Sequence, residues 1–423
     1  MDKQITTSAK ESKEFRHIHD SEPEWFYRLR RDGWMYHQKS CPPNRASHLW
    51  RYSDPAKFET DSLEMPQGVL PSVTNGNGNY GAGRSGGLLE PFRLSPELKQ
   101  RGVIFKDLFS AIRINAGHVE KHFASLVGID FGRFEALNMA LWNDGYFLYI
   151  PDNVVIDKPI YIRSSEIDAN NFSRSLVVIG NNCEVTLVND CGSDGAGKKS
   201  IVNDATELVA GDGSRVKYIN LQRHPETTSA LVNYRARIGR DSEIYSIFGG
   251  FGGSNIKVNA GTELAGRGAH SRMDGIIFAT GTQRFDYHTR HHHTAGNTYS
   301  DLNFKVILKD RSNSAYTGLI RIEKDAPNCE AYQENRNLLL NPGARAESIP
   351  ELEILTDEVR CTHGATMGPI DPEMIFYLKS RGFSRRDATR TIVEGFVKST
   401  LDRIPEEISV AIGRMVSDKL GSE

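Results

Sequence analysis

The 423-residue chain contains no C-x-x-C pair. That absence argues against a self-contained zinc ribbon or a four-cysteine cluster cradle. Its five cysteines, Cys41, Cys183, Cys191, Cys329 and Cys361, are odd in number and widely spaced, which argues against a disulfide framework. No stretch approaches the roughly 18 consecutive apolar residues of a membrane span. Neither sign of charge dominates: 52 Lys plus Arg stand against 54 Asp plus Glu, for a net charge of −2. No overall basic field therefore favours nucleic acid. The first 25 residues are polar and charged, with no apolar core of the kind a secretory signal needs. The expected compartment is the cytosol, or an organelle stroma if a transit peptide has been removed.

What is present divides into three regions. Residues 1–130 predict a mainly helical N-terminal region. Within it, Glu22-Pro23-Glu24 followed by Trp25, Phe26 and Leu29 marks a helix start with an apolar stripe. Residues 66–88 are rich in Gly and Asn and predict a flexible loop. Ser95-Pro96 then opens a stretch to about residue 128 whose apolar residues Phe105, Leu108, Phe109 and Ile112 have helical spacing.

From about 145 to 360 short β-rich runs alternate with turn signals, and one phrase recurs. It reads Ile179-Gly180-Asn181-Asn182-Cys183-Glu184-Val185, then Ala210-Gly211-Asp212-Gly213-Ser214-Arg215-Val216, then Ile238-Gly239-Arg240-Asp241-Ser242-Glu243-Ile244. A degenerate copy begins at Ala265-Gly266. A strand-rich unit repeated at this period is the signature of a solenoid. The fold expected is mainly β: a right-handed parallel β-helix core with helical regions at both ends. Each Gly is expected to supply a positive φ at a corner, and Val185, Val216 and Ile244 to point inward on stacked coils. A β-sandwich with irregular loops is the competing architecture.

Residues 371–423 predict a C-terminal helical domain. Asp371-Pro372-Glu373 combines a cap, a proline at the first helical position and an acid in the first turn. Gly382 is a stop signal. Ser384 to Asp387 resembles a capping box with Asp in place of Glu. The run Met374 to Leu378 is apolar on more than one side of its helix and is bordered by Lys379, Arg381, Arg385 and Arg386. An apolar centre with an arginine rim suits a protein interface. Alternatively, Phe376 and Tyr377 pack onto the last coil and cap it.

Four constellations could carry chemistry. Gly192 to Ser200 nearly matches a phosphate-binding loop, but Lys199 displaces the metal-binding hydroxyl and a strand follows where a helix is required. Among His288, His291, His292 and His293, strand spacing pairs Asp286 with His288, or His291 with His293, as two candidate metal ligands each, and no third ligand is placed. Asp286 and Asp301, with Lys305 nearby, would be the carboxylates of a β-helix carbohydrate-active enzyme. Cys361 and His363 share one face if their segment is extended, roughly 6.5 Å apart. A thiolate and an imidazole side by side suit iron–sulfur or zinc chemistry, yet two ligands leave the site to be completed by another chain.

The phrases PELEI (350–354), DEVRCTHGAT (357–366) and IFYLKSRG (375–382) together resemble the SufB/SufD family of the SUF iron–sulfur cluster assembly machinery. Phe134 to Asn138, Gly145, and the stretch from His288-Thr289 through Phe304-Lys305 to Gly318 also resemble it, so that about 130–400 is covered. The Cys361-x-His363-Gly364 form is similar to the SufD branch, since the SufB branch usually carries Glu at the position of Gly364. The resemblance implies a non-catalytic scaffold that pairs with a SufB-type paralogue through the β-helix core. It implies a SufC-type ATPase docked on the C-terminal helices, here by Phe376, Tyr377, Leu378 and Arg381. It places Cys361 and His363 at an interface where an iron–sulfur cluster forms transiently, and implies no cofactor held stably by the isolated chain. A homodimer in isolation is also compatible with the family. The alternative function is the carbohydrate-active enzyme.

Overall fold

The structure, a computed structural model, describes residues 22–59, 80–85, 93–165, 170–192 and 199–421. The strands begin with β1 (Tyr80–Ser85), β2 (Ile104–Asp107), β3 (Tyr146–Ile150), β4 (Ile160–Ser165), β5 (Asn171–Ile179) and β6 (Glu184–Gly192). They continue with β7 (Ser200–Ala210), β8 (Arg215–Arg223), β9 (Thr228–Ile238), β10 (Glu243–Gly250), β11 (Asn255–Leu264) and β12 (His270–Ala279). The last are β13 (Arg284–His293), β14 (Tyr299–Leu308), β15 (Asn313–Ile322), β16 (Cys329–Leu339), β17 (Arg345–Ile354) and β18 (Val359–Pro369). The helices are α1 (Glu24–Lys39), α2 (Pro96–Gln100), α3 (Leu108–Ile114), α4 (Ala116–Val119), α5 (Arg133–Leu141), α6 (Pro372–Ser380), α7 (Arg385–Leu401) and α8 (Glu406–Gly421).

From β3 onward, successive strands go to alternate sheets. One sheet runs β1-β4-β6 and on by even numbers to β18; the other runs β2-β3-β5 and on by odd numbers to β17. Every pairing is parallel except β2 with β3. The result is a parallel β-solenoid of about seven turns. Val185 stands opposite Val216 and Val216 opposite Ile244. All three are buried in one core with Tyr218, Tyr234 and Phe248, so the recurring phrase does mark successive coils.

The corners work differently from the expectation. Gly180, Gly211, Gly239 and Gly266 do not take a positive φ; that falls two residues later, on Asn182, Gly213, Asp241 and Gly268. The glycines are required because each corner rests on the backbone of the coil before it. A Cβ on Gly211 would lie 2.9 Å from the carbonyl carbon of Gly180, and one on Gly266 would lie 2.0 Å from the nitrogen of Arg240. The Ser position of the phrase has its own task. The Ser214 hydroxyl donates to the Gly180 carbonyl (2.7 Å) and accepts from the Cys183 N–H (3.0 Å). Ser242 does the same with the Gly211 carbonyl (2.6 Å) and the Ser214 N–H (3.1 Å). The buried N–H groups of Cys183 and Ser214 are thereby satisfied.

The N-terminal end of the solenoid is closed by β2 and the segment before it, whose Leu98, Val103 and Phe105 join the interior core. Beside it, Phe26 of α1 packs edge-on against Phe123 and Trp142, each at 5.5 Å between centroids, in a cluster with Phe147, Phe172 and Leu176 on the outer face of the odd-numbered sheet. Glu207 is fully buried there. Its carboxylate accepts from the N–H groups of Ala124, Leu126 and Val127 at 2.9, 2.7 and 2.9 Å, and from Arg174 at 3.1 Å. Phe105, expected in a helix, lies in β2; it is an inward residue of the solenoid core, packed against Tyr146. Core packing overrides the helical spacing.

Three boundaries also move. Residues 80–85, inside the stretch expected to be a loop, form β1 and pair with β4; the rest of 66–88 lies outside the described residues. Residues 193–198 of the phosphate-loop-like sequence lie outside them too. The solenoid continues to Pro369 rather than ending near 360, so Cys361 and His363 belong to its last strand. The helices α7 and α8 lie against the outer face of the even-numbered sheet, where Val393, Val397, Ile408, Ile412 and Val416 meet Ile219, Ile247, Ile276 and Phe278. No described helix is long and apolar enough to cross a membrane.

Candidate functional site

Strand register fixes where Cys361 and His363 point. Ile244 stands opposite Ser271, Ser271 opposite Ser300, Ser300 opposite Ala331, and Ala331 opposite Cys361. Cys361 therefore ends the inward column that starts at Val185. His363 ends the neighbouring inward column, below Gln333, Leu302 and Met273. In earlier coils such residues are enclosed. In β18 they are not, because β17 and β18 are the last strands of their sheets. Among the described residues nothing covers this end, and the inward face of the last coil is an open mouth.

The mouth is partly dry. Cys361 is half-buried against the core, and burial pushes its thiol up to about 11. His363 and Gly364 are exposed, and a Cβ added at Gly364 would meet nothing within 4 Å. The outer edge of β18 presents unpaired backbone groups, ready for pairing with another strand. A neutral thiol in an apolar rim is unreactive until a metal or a positive group displaces its proton. Two inward-facing soft ligands, an imidazole and a sulfur, can thus hold one side of a metal centre and no more.

Beyond the mouth, α6 is a helix with no buried residue. Phe376 is 75% exposed and Tyr377 57%, so neither caps the final coil. Leu378 is half-buried and Arg381 lies over the Tyr377 ring at 5.3 Å. Between α6 and α7 runs an apolar groove of about 890 Å³, lined by Leu338, Met374, Tyr377, Ile392 and Phe396. The helix starts as its sequence requires: the Asp371 carboxylate accepts from the Glu373 N–H at 2.8 Å. Ser384 likewise caps α7, accepting from the Asp387 N–H and donating to its carboxylate.

The histidine candidates are separated. His291 and His293 point into the solenoid, where they pair with Ser271 (2.9 Å) and with Thr298 and Ser300 (2.7 and 2.9 Å). Burial pushes them down to about 3 and about 4. His288 lies on the outer face and pairs with Asp286 at 3.0 Å. The division follows strand alternation, which puts Asp286 with His288 on one face and His291 with His293 on the other. Among the described residues no group of three or more His, Cys, Asp or Glu is arranged to hold a metal. The carboxylates of the enzymatic alternative are separated as well. Asp286 is on the odd-numbered sheet and engages Lys257 (2.9 Å); Asp301 is on the even-numbered sheet and engages Arg272 (3.4 Å). Lys305 is committed to the Phe396 carbonyl and the Ser399 hydroxyl of α7.

Comparison with known proteins gives this arrangement a lineage. Residues 161–396, which run from β4 through the mouth to α7, match the family described as SUF system FeS cluster assembly, SufBD core domain. The chain belongs to the SufBD family. Residues 93–162 match the SufBD protein N-terminal region. A protein of Staphylococcus epidermidis named iron-sulfur cluster assembly SufBD family protein is 29% identical over 325 residues, covering 76% of this chain and 70% of that one. One of the same family name from Staphylococcus aureus strain USA300 is 27% identical over 400 residues, covering 93% and 84%. The SufBD core thus holds Cys361, His363 and α6 within one matched region, whereas residues 22–59 precede both matches.

Proposed function

We propose that this SufBD protein is a SufD-type scaffold subunit. Its open mouth pairs with a SufB-type paralogue, and an iron–sulfur cluster forms transiently between Cys361 and His363 on this side and ligands supplied by the paralogue. A SufC-type ATPase docks on the exposed apolar and arginine surface of α6, at Phe376, Tyr377, Leu378 and Arg381. The observation that carries the reading is the pair of inward-facing ligands left uncovered in the last coil. A solenoid needs its terminal coil capped, and a second chain can provide the cap and the missing ligands together.

The test is co-expression with candidate SufB-type and SufC-type partners, followed by mass measurement of the complex. The reading expects one complex containing all three chains. Cys361→Ala and His363→Ala should assemble the complex yet lower its cluster yield; unchanged yield in both variants would remove the mouth from the chemistry. A chain ending at Ile370 should lose the ATPase subunit. Full retention by that shortened, folded chain would place the docking surface elsewhere.

A further inference from the structure

Residues 44–59 form a strap across the outer face of the odd-numbered sheet. It is fixed at three points. His48 meets Glu351 of β17 at 2.6 Å, Trp50 packs on Phe134 at 4.9 Å between centroids, and the Ser53 hydroxyl donates to Asp286 at 2.6 Å. Between strap and sheet lies a cleft of about 640 Å³. Arg45, Arg51 and Lys57 line it from the strap, and Arg284 and Arg345 from the sheet. All five are exposed, and none of the five has an ion-pair partner among the described residues.

The sheet wall is regular. Asn255, Arg284, Asn313 and Arg345 occupy one register column of β11, β13, β15 and β17. Asparagines, whose amides are engaged within the protein, therefore alternate with guanidinium groups at one strand spacing, and the two arginines are roughly 10 Å apart. The carboxylate at the floor is already taken. Asp286 is buried and bound by Lys257 and Ser53, and the Lys257 ammonium beside it is a main cause holding it down at about 2. Asp54 accepts from the Ala56 N–H within the strap, and Glu347 is the remaining acid of the lining. Opposed walls of like charge focus a positive field on the space between them. Planar guanidinium forks match phosphate and carboxylate groups.

We propose that this cleft binds a small polyanion, a molecule carrying two or more phosphate or carboxylate groups that reach from Arg284 to Arg345. The site is separate from the mouth at Cys361 and His363 and from the α6 surface, and it does not depend on the scaffold reading. A lone phosphate spans one arginine; a longer anion spans both and also meets the strap.

Calorimetric titration of the full chain at fixed ionic strength tests this. The probes are tripolyphosphate, citrate and orthophosphate. Saturable binding of tripolyphosphate or citrate, at least about tenfold tighter than orthophosphate, is expected, and the better of the two names the anionic group. Arg284→Ala and Arg345→Ala should each weaken that binding about tenfold, while Arg267→Ala, at an exposed corner, should leave it unchanged. Polyanion binding no tighter than orthophosphate would overturn the proposal. So would equal weakening by all three variants, which would show diffuse attraction instead of a site.

Discussion

At its N-terminal end the solenoid is closed by the antiparallel strand β2 with Leu98 and Val103, and helices around Phe26 and Trp142 cover the adjoining outer face. At its C-terminal end β17 and β18 stop with their inward side chains uncovered. The covered region buries charge in paired form, as at Glu207 with its three backbone donors and Arg174. The open end leaves Cys361 without a charged partner and His363 exposed. The uncovered end therefore keeps the capacity to combine with another chain.

The sharpest way to break this contrast is at the closed end. Arg174→Ala leaves Glu207 buried without its cation and should cost about 3–5 kcal/mol in denaturant unfolding. A loss below about 1 kcal/mol would mean that the packing over these first coils contributes little.

At the open end the largest effect is chemical. With the Cys361 thiol pushed up to about 11, roughly one molecule in a thousand is thiolate at pH 8. Alkylation followed by mass spectrometry should find Cys361 modified on the order of a hundredfold more slowly than an ordinary free thiol, with exposed Cys41 modified first. Equal rates at Cys361 and Cys41 would show the mouth to be wet throughout.

The flank covered by α7 and α8 offers an intermediate case. Asp274 is buried beneath them, bound to Tyr245 at 2.6 Å and facing Arg403, Arg272 and Asp301. Desolvation raises its carboxyl to about 6. The fold thus favours the protonated form. The associated stability is present below about pH 4 and is lost as pH rises to 6. Asp274→Asn should gain about 1–2 kcal/mol at pH 7.5 and nothing at pH 4; a gain independent of pH would point to packing instead.

The smallest effect is expected of Cys361→Ala and His363→Ala on the folding of the isolated chain, under about 1 kcal/mol each. A larger loss would make the open end a structural element and weaken the contrast.

How far the sequence could be read follows from the same physics. The corner phrase betrayed the coils because Gly and Ser meet a repeated local demand, and such demands are visible in composition. The reason for the glycines was not visible: contact between Gly266 and Arg240 links residues a full coil apart. Cys361 and His363 were legible as a pair, but only the columns above Ala331 and Gln333 show that both face a mouth. In the run His288 to His293 alternation gave the faces, but not that Ser271, Thr298 and Ser300 already occupy His291 and His293. The exposure of Phe376 and the cleft under the strap depend on how distant segments pack, which no local pattern encodes.

The corners have a mechanical side. Where backbone sits directly on backbone, as at Gly180, Gly211, Gly239 and Gly266, there is no soft layer to take up an error. The stack is built to a fixed pitch, as a column of dry-laid stones is. A side chain forced into one joint would tilt every course above it, and the alignment of the last course is what a partner must match. Glycine at these joints thus sets the tolerance of a surface that lies coils away and that it never touches.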